Sequence, residues 1–380
     1  MSKVFQRGTA VLALMIASVA FVTTAHAQMP TSPWKKGAPF PEPDEELYGV
    51  TVNGKLYVMG GWDNGKARGA NYEYDPATDK WTKKSPMPRP AHHAALAAVN
   101  GKIYAFGGFV APTNTPIPLG AAWEPIGDAY EFNPATDSWK PIAPLAGKRG
   151  SAIAAEVGGK IYVIGGATTM DGDKAPFFTA FGPAKVLATN EVYDPATNKW
   201  ESRNPMSVPR NHAFSGVVNG KVYVIGGRTG HGFILSATNT NTVEEYDPAS
   251  NTWSMPKERM PTARSGGASG TDGRLIYVAG GEVTTTQLVG AYRAVEAYNP
   301  ATNSWITLPP MPMPRHGVAG AVLGNRFHLV SGMIQSAGAL TFLDPTLSVH
   351  TAMHDILDLG FFFPPSPTAT KSVAPAATDR

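Results

Sequence analysis

The chain has 380 residues, a formal net charge of +3 and no cysteine. A nearly neutral chain offers no broad attraction to nucleic acid or anionic lipid. The missing thiols exclude disulfides, thiolate metal sites and cysteine nucleophiles. Gly and Pro number 40 and 34 without a collagen-like period, which is typical of many short strands joined by tight turns.

The first 27 residues have the pattern of a secretory signal peptide. Two basic residues precede an apolar stretch from about Val11 to Val22, and Ala25-His26-Ala27 is the small-x-small pattern that signal peptidase cuts after. A membrane anchor is the alternative, but the apolar run is shorter than the roughly 20 residues that cross a bilayer. We therefore expect a periplasmic or secreted protein whose mature charge is +1, since both basic residues are lost with residues 1–27.

A pair of glycines ends an apolar run at five places, and Ser331-Gly332 is a weaker sixth. The five pairs are Gly60-Gly61, Gly107-Gly108, Gly165-Gly166, Gly226-Gly227 and Gly280-Gly281. The interval averages about 54 residues, which fits a propeller blade with insertions better than a solenoid repeat. The sequence therefore predicts six copies of one supersecondary unit.

Each unit begins with a predicted β-hairpin. The run Lys221–Ile225 is rich in β-branched and aromatic residues, as a buried strand is. Asn219-Gly220 precedes it, and this dipeptide supplies the positive φ values of a two-residue turn. We expect strands one and two of each unit to be paired in this way.

An aromatic residue, then Asp or Asn, then Pro, then Trp mark the second half of each unit. Asp or Asn before Pro opens a type I turn, so strands three and four form another hairpin, with the Trp packed against the neighbouring blade. The five copies run Tyr74-Asp75-Pro76 to Trp81, Phe132-Asn133-Pro134 to Trp139, Tyr193-Asp194-Pro195 to Trp200, Tyr246-Asp247-Pro248 to Trp253 and Tyr298-Asn299-Pro300 to Trp305.

The sixth unit lacks its tryptophan. Phe342-Leu343-Asp344-Pro345 is followed by none, whereas Trp34 near the start of the mature chain has no strands before it. Ring closure explains both facts, because an N-terminal strand that completes the last blade removes the exposed edges of an open array.

The doubled glycines, the Tyr-Asp-Pro-Ala-Thr segments and the spaced tryptophans resemble kelch repeats over about residues 30–345. WD40 signatures are missing. The resemblance implies an all-β, six-bladed kelch β-propeller over 28–345, closed by an N-terminal strand. We expect a packed C-terminal extension over 346–363, which Phe361-Phe362-Phe363 pins to the body, and a disordered tail over 364–380.

One face of such a propeller carries the loops between strands two and three together with the links between blades. These loops are longest in units two and three, and long loops on a rigid scaffold are common binding sites. They contain Trp123, Glu124 and Phe178, with Phe177 and Phe181, and unit four adds His231 and Phe233. The aromatic side chains either contact a ligand or close a small core of the loops themselves.

The links carry the second set of predicted ligand-binding residues. Arginines lie at or near one repeated position, and histidines follow several of them; unit one has acidic residues from Asp44 to Glu46 instead. Guanidinium groups suit carboxylate or phosphate ligands, although they can equally bridge neighbouring blades. The residues are Arg89, Arg149, Arg210, Arg264, Arg315, His93, His212 and His316, with His92 beside them. Histidines brought together around an axis can bind a metal or transfer protons, or they can form hydrogen bonds between blades. Because no tight metal-ligand spacing occurs, we favour hydrogen bonding and predict neither a metal nor another cofactor.

Two functions follow from the resemblance. The first is a monomeric, non-enzymatic module that recognises a glycan or an exported protein on the long-loop face, with no nucleic acid and no membrane span. The second is a sugar-acting enzyme, since the chain is distantly similar to the N-acetylneuraminate mutarotase in size, signal peptide and blade number. An acid–base pair with Glu124 or the acidic cluster would then be needed. Galactose oxidase chemistry is excluded, because its cofactor requires a cysteine.

Overall fold

The computed structural model describes residues 32–63, 65–113, 121–254, 256–285, 287–336 and 349–363. The compact unit that begins at Pro33 is described below. Its described residues contain strands and two short 3-10 turns, Ile234–Ser236 and Leu359–Phe361. No helix among them is long and apolar enough to cross a membrane. The predicted all-β class is confirmed; the predicted signal peptide and disordered tail lie outside the described residues.

The strands follow one another at short intervals. The first are β1 (Trp34–Lys36), β2 (Glu45–Val52), β3 (Lys55–Asp63), β4 (Lys66–Asp75), β5 (Lys80–Lys83), β6 (Ala95–Val99), β7 (Lys102–Phe106), β8 (Phe109–Val110), β9 (Ala122–Pro125), β10 (Ala129–Asn133) and β11 (Ser138–Pro141). The next are β12 (Ile153–Val157), β13 (Lys160–Ile164), β14 (Ala167–Thr168), β15 (Phe178–Thr179), β16 (Lys185–Val186), β17 (Asn190–Asp194), β18 (Lys199–Arg203), β19 (Phe214–Val218), β20 (Lys221–Ile225), β21 (Arg228–Thr229) and β22 (Thr238–Asn239). The last are β23 (Val243–Asp247), β24 (Thr252–Ser254), β25 (Ala268–Thr271), β26 (Ile276–Ala279), β27 (Glu282–Thr284), β28 (Val289–Ala291), β29 (Val295–Asn299), β30 (Ser304–Leu308), β31 (Ala319–Leu323), β32 (Arg326–Val330) and β33 (His354–Asp358).

Six four-stranded antiparallel sheets, here called blades 1 to 6, account for most of these strands. They are β2-β3-β4-β5, β6-β7-β10-β11, β12-β13-β17-β18, β19-β20-β23-β24, β25-β26-β29-β30 and β31-β32-β33-β1. The remaining short strands lie in the long loops between the second and third strands of a blade. Most pair within one loop, as β27 does with β28, but β15 of the blade 3 loop pairs with β9 of the blade 2 loop.

The first strands of the six blades contact one another in cyclic order, and the first strand of blade 6 also contacts that of blade 1. Backbone hydrogen bonds run around the same inner ring. The Ser151 N–H donates to the His93 carbonyl, and the Leu47 N–H donates to the Gly317 carbonyl at 3.2 Å. This last bond joins blade 6 to blade 1. The predicted β-propeller architecture is thus present.

The N-terminal strand β1 lies at the outer edge of blade 6, as the sequence predicts. Trp34 stands opposite Leu357 in an antiparallel pair. Its indole packs against a core cluster that includes Tyr277 and Ala297 of blade 5. Trp34 therefore occupies the place that the downstream tryptophans have in the other blades.

The third strand of blade 6 differs from the prediction. It is His354–Asp358, which pairs with both β32 and β1, whereas the predicted residues 342–345 lie outside the described residues. The propeller therefore extends beyond the boundary predicted at 345, and part of the predicted extension is a blade strand. An Asp-Pro turn is needed only where the third strand turns directly into the fourth. Because the N-terminus supplies this fourth strand, the motif is dispensable after β33.

Neighbouring blades are held by a repeated set of contacts, here called the inter-blade clamp. The tryptophan N–H donates to a link carbonyl, as Trp200 does to Ala143 at 2.9 Å. An Asp or Asn two positions before the tryptophan accepts from the N–H of the same link residue, as Asn198 does at 2.8 Å. The clamp residues are Trp81, Trp139, Trp200, Trp253 and Trp305 with Asp79, Asp137, Asn198, Asn251 and Asn303.

The described C-terminal residues pack on the propeller. Phe362 and Phe363 contact the core cluster that contains Tyr277, while Phe361 is exposed. The prediction that this aromatic run pins the end of the chain to the body therefore holds for two of its three residues.

Candidate functional site: the axial cluster

The predicted ligand-binding arginines do not converge on one site. In blades 3 to 6 each guanidinium is buried and paired with a carboxylate on the third strand of its own blade. The pairs are Arg149–Glu191 at 2.7 Å, Arg210–Glu244, Arg264–Glu296 at 2.5 Å and Arg315–Asp355 at 2.6 Å. Arg89 is exposed and contacts Asp128 at 2.6 Å. The contacts thus favour a structural role within single blades, rather than a shared ligand site.

The predicted aromatic wall is folded inward. Trp123, Phe178 and Phe233 are buried and belong to one apolar cluster with Phe109. The rings of Trp123 and Phe233 stack with centroids 3.8 Å apart. Of the two interpretations of these residues, the small loop core is the observed one.

Beneath this apolar cluster, two consecutive positions recur at the start of the first strand in every blade. The second of them always has a positive φ, between 51° and 67°, and lies 14 residues before the closing glycine pair or, in blade 6, Ser331-Gly332. We call these twelve residues the axial positions. They are Glu45-Glu46, His92-His93, Gly150-Ser151, Asn211-His212, Ser265-Gly266 and His316-Gly317.

Acidic and histidine side chains from several blades meet at the axial positions. His93 Nε2 lies 2.9 Å from Glu46 Oε2, and His316 Nε2 lies 3.1 Å from Glu45 Oε2. The rings of His93 and His212 are 4.5 Å apart between centroids. All five side chains are buried. We refer to them as the axial cluster.

Two further charged residues join the cluster and were not predicted. Arg228 and Glu282 form a buried ion pair of 3.0 Å, and Glu282 also lies 3.8 Å from His316. Both directly follow a glycine pair, at a position that other blades fill with Trp62, Phe109, Ala167 or Met333. A charged residue at an otherwise apolar repeat position was the signal that could have revealed them.

Burial changes the ionisation of the cluster. It raises the pKa of Glu46 to about 8 and that of Asp44 to about 8. Burial acts in the same direction on Glu45, but contacts with His316 and His350 outweigh it and lower the pKa to about 2. Burial also holds the pKa of His93 and His212 well below the ordinary value, so both imidazoles are neutral.

The arrangement can hold a cation or exchange protons. Ligand atoms of Glu46, His93 and His212 lie within 4.8 Å of one another, and so do those of Glu45, Glu46 and His316. A cavity of about 20 Å³ touches Glu46 and His212, which is room for one water or ion but not for a sugar ring. A larger space of about 390 Å³ runs along the first strands of the blades, which line it mostly with Ala, Gly, Ser and Thr.

Glu124 is half-buried on β9, where it pairs with Val110 of β8. It takes no part in the two groups of convergent ligand atoms among the described residues. The acid–base role that the sugar-enzyme hypothesis assigned to it has no neighbouring partner in these contacts.

Repeated four-stranded sheets around a ring, joined by the inter-blade clamp, define a β-propeller built from one repeated motif. Models of the kelch motif match residues 49–88 and 90–146, and a model described as the KLHDC2/KLHL20/DRC7 kelch-repeats domain matches residues 148–332. The chain belongs to the kelch-repeat family.

Relatives extend beyond one kingdom. Kelch-like protein terF of Aspergillus terreus is 30% identical over 222 residues, which are 58% of this chain and 46% of that protein. Alpha-scruin of Limulus polyphemus is 29% identical over 215 residues, 56% of this chain and 22% of that protein. The matches thus span less than half of these relatives. A solved structure titled "Structure of YjhT" superposes with a TM-score of 0.62 at 18% identity, covering 78% of this chain and 92% of that one; this likeness concerns the fold.

Proposed function

We propose that this chain is an exported binding protein that docks a protein partner on the long-loop face of its propeller. The proposal depends on where exposed apolar side chains lie. Six of the seven large apolar side chains that are exposed among the described residues belong to this face. They are Met170, Phe181, Leu288, Val289, Met313 and Val349, on loops between strands two and three or on a link between blades.

Exposed apolar side chains concentrated on one face are a mark of protein interaction surfaces. Phe181 is 75% exposed, and Leu288 at the tip of the β27–β28 loop is 53% exposed. Scattered exposure would distribute such residues over both faces, but the opposite face has only Phe361 among the described residues. The asymmetry supports docking on the loop face.

A glycan ligand is less well supported than a protein. Sugar recognition usually needs an accessible aromatic ring on which the sugar stacks. Trp123, Phe178 and Phe233 are buried in the loop core instead. The sugar-acting enzyme has the perturbed groups that it requires, but they lie at the axial cluster beside a cavity of about 20 Å³, which is too small for a sugar ring.

Site-specific photocrosslinking tests the docking face. A photoreactive amino acid at position 181 should crosslink a discrete protein in the producing cell, whereas the same group at Thr197, an exposed position on a turn of the opposite face, should not. Once a partner is isolated, Phe181→Ser should weaken its binding at least about tenfold, because an exposed aromatic anchor is lost.

The matched control is Phe361→Ser, which removes a phenylalanine that is 53% exposed on the opposite face. It should leave binding unchanged. Equal losses for the two variants, or crosslinking at 197 alone, would contradict the proposed face. Specific binding on a glycan array without any protein partner would overturn the choice of ligand class.

Export is tested separately by the N-terminus of the secreted or periplasmic protein. Cleavage after Ala27 gives a mature chain that begins at Gln28. N-terminal sequencing or intact mass should find this end. Retention of Met1 in the cytoplasmic fraction would remove export from the proposal without affecting the docking face.

A further inference from the structure

The three residues Glu46, His93 and His212 occupy one repeated backbone position that ordinarily suits glycine. Their φ values are 54°, 57° and 51°, and the equivalent residues in blades 5 and 6 are Gly266 and Gly317. A side chain in this left-handed region costs roughly 1 kcal/mol or more. Blades 1, 2 and 4 therefore accept backbone strain to point a carboxylate and two imidazoles toward the axis, which suggests a role that folding does not require.

The ligand atoms of these residues are close enough to share one ion. One atom from each lies within 4.8 Å of the other two, and all three side chains are buried. His93 Nε2 is 2.9 Å from Glu46 Oε2, yet it has no partner that satisfies hydrogen-bond geometry among the described residues. Atoms bonded to one ion at about 2.0–2.2 Å stand roughly 3 Å apart, which is the spacing of His93 Nε2 and Glu46 Oε2. The His212 atom lies within 4.8 Å of both and would have to move closer to them on binding.

Neighbouring side chains fix the orientation of the two imidazole rings. Nδ1 of His212 donates to Asn211 Oδ1 at 2.5 Å, so Nε2 carries the lone pair. The Ser151 hydroxyl lies 3.2 Å from this Nε2, and a coordinated ion would replace that hydrogen bond. Nδ1 of His93 lies 2.6 Å from Nδ1 of His92, so its second nitrogen is likewise held. Metal-ligating histidines are usually oriented by such a bond from the other ring nitrogen.

Space and charge are consistent with a cation. The cavity of about 20 Å³ that Glu46 and His212 line has room for one ion. Glu45, Glu46 and Glu282 bring three carboxylates to the cluster, whereas Arg228 is the arginine paired there and His316 adds a positive charge when protonated. With His316 protonated, Arg228 and His316 offset two of these carboxylates, and a cation that displaces the proton of Glu46 would balance the third.

We propose that Glu46, His93 and His212 form a binding site for one divalent first-row transition-metal ion. Two imidazole nitrogens and one carboxylate oxygen suit Zn²⁺ and its neighbours in the series, while Mg²⁺ and Ca²⁺ prefer sites composed of oxygen. The site goes beyond the proposed docking function, because it lies beneath the loops and does not involve Phe181. It also replaces the expectation that the chain binds no metal.

The direct experiment is a titration of the purified full chain, stripped with a chelator, with Zn²⁺ by calorimetry and with Co²⁺ by visible absorption. The wild type should bind one equivalent of each and give the absorption bands of cobalt in a nitrogen and oxygen site. Glu46→Gln, His93→Asn and His212→Asn should each weaken binding by at least about 100-fold. His328→Asn, which removes a buried histidine outside the cluster, should bind as the wild type does.

Folding is monitored in the same samples. Zn²⁺ should raise the unfolding midpoint of the wild type and of His328→Asn, since a ligand of the folded state stabilises it, and should not raise that of the three site variants. No stoichiometric binding by the wild type would overturn the proposal. So would binding that is lost in His316→Asn but retained in His93→Asn, because the ion would then belong to the group of Glu45, Glu46 and His316.

Discussion

The inter-blade clamp and the axial cluster differ in what the repeat keeps constant. In the clamp, five blades place the same side chains in the same contacts, as Trp139 and Trp200 show with N–H donations of 2.8 and 2.9 Å to link carbonyls. At the axial positions the backbone repeats just as strictly, but the side chains range from Gly266 to Glu46. Repetition of side chains thus marks what holds blades together. Variation at a repeated backbone position marks what the fold leaves available for function.

The largest expected effect sharpens the structural side of this comparison. Arg264→Met should destabilise the protein by about 3–5 kcal/mol, because it leaves Glu296 buried without its partner. Urea denaturation measures the loss. The double variant Arg264→Met, Glu296→Met should recover much of it, since no uncompensated charge then remains.

Arg89→Met is the matched control, because Arg89 is an exposed arginine that also pairs with a carboxylate. Arg89→Met should lower the free energy of unfolding by no more than about 1 kcal/mol. If Arg264→Met and Arg89→Met have equal effects, the buried arginines are not structural and the ligand-binding interpretation regains its place.

Blade 6 should make stability depend on pH. Burial lowers the pKa of His328 to about 3, and the neighbouring His354 adds to this shift. Burial also lowers the pKa of His354 to about 4. Both values lie below the 6.5 of an unfolded histidine, so the unfolded chain binds more protons. The stabilisation is complete above pH 6.5 and is lost as the pH falls toward 4, with a slope approaching about 1.4 kcal/mol per pH unit for each histidine.

Unfolding free energies at pH 7.5, 6.5 and 5.5 check this dependence. His328→Asn should give a shallower slope than the wild type below pH 6.5, while other buried histidines contribute equally to both proteins. Identical slopes would show that burial beside His354 does not keep His328 neutral.

A smaller effect tests the repetition within the clamp. The Tyr193 hydroxyl donates to Asn198 Oδ1 at 2.8 Å, whereas blade 2 has Phe132 at the equivalent position. Tyr193→Phe converts one pattern into the other and should cost about 1 kcal/mol, the usual net value of one hydrogen bond. A loss above about 3 kcal/mol in thermal or urea denaturation would show that the blades are not interchangeable at this contact.

The sequence was sufficient for the fold because the fold is repeated. Glycine pairs, Asp-Pro turns and tryptophans recur in fixed order, and even the missing sixth tryptophan pointed to Trp34. The prediction was wrong about the third strand of blade 6, where the chain did not need an Asp-Pro turn. The clamp residue Asn198 and its counterparts were visible as Asp or Asn two positions before each tryptophan, but their partners lie in the preceding link, 52 residues away for Asp137 and Ser85.

The candidate site was only partly accessible from sequence. Position in the repeat placed Arg149 and its counterparts on one face, but burial and pairing depend on a carboxylate such as Glu191 on another strand. The aromatic residues were located correctly, yet whether a loop folds inward depends on packing between blades that no local pattern encodes. Glu46, His93 and His212 lie close together because equivalent positions of blades 1, 2 and 4 face one another across the ring. The sequence of a single blade does not show this.

Glu46→Gly tests the central claim, that the axial side chains are not what holds the propeller together. The substitution gives blade 1 the glycine that blades 5 and 6 already have at this position. It relieves the strain of a non-glycine residue at a φ of 54° and removes a buried carboxylate. In metal-free protein, the free energy of unfolding should stay within about 1 kcal/mol of the wild type. A loss of about 3–5 kcal/mol, as expected for Arg264→Met, would contradict the account, because the axial cluster would then be part of the structural framework.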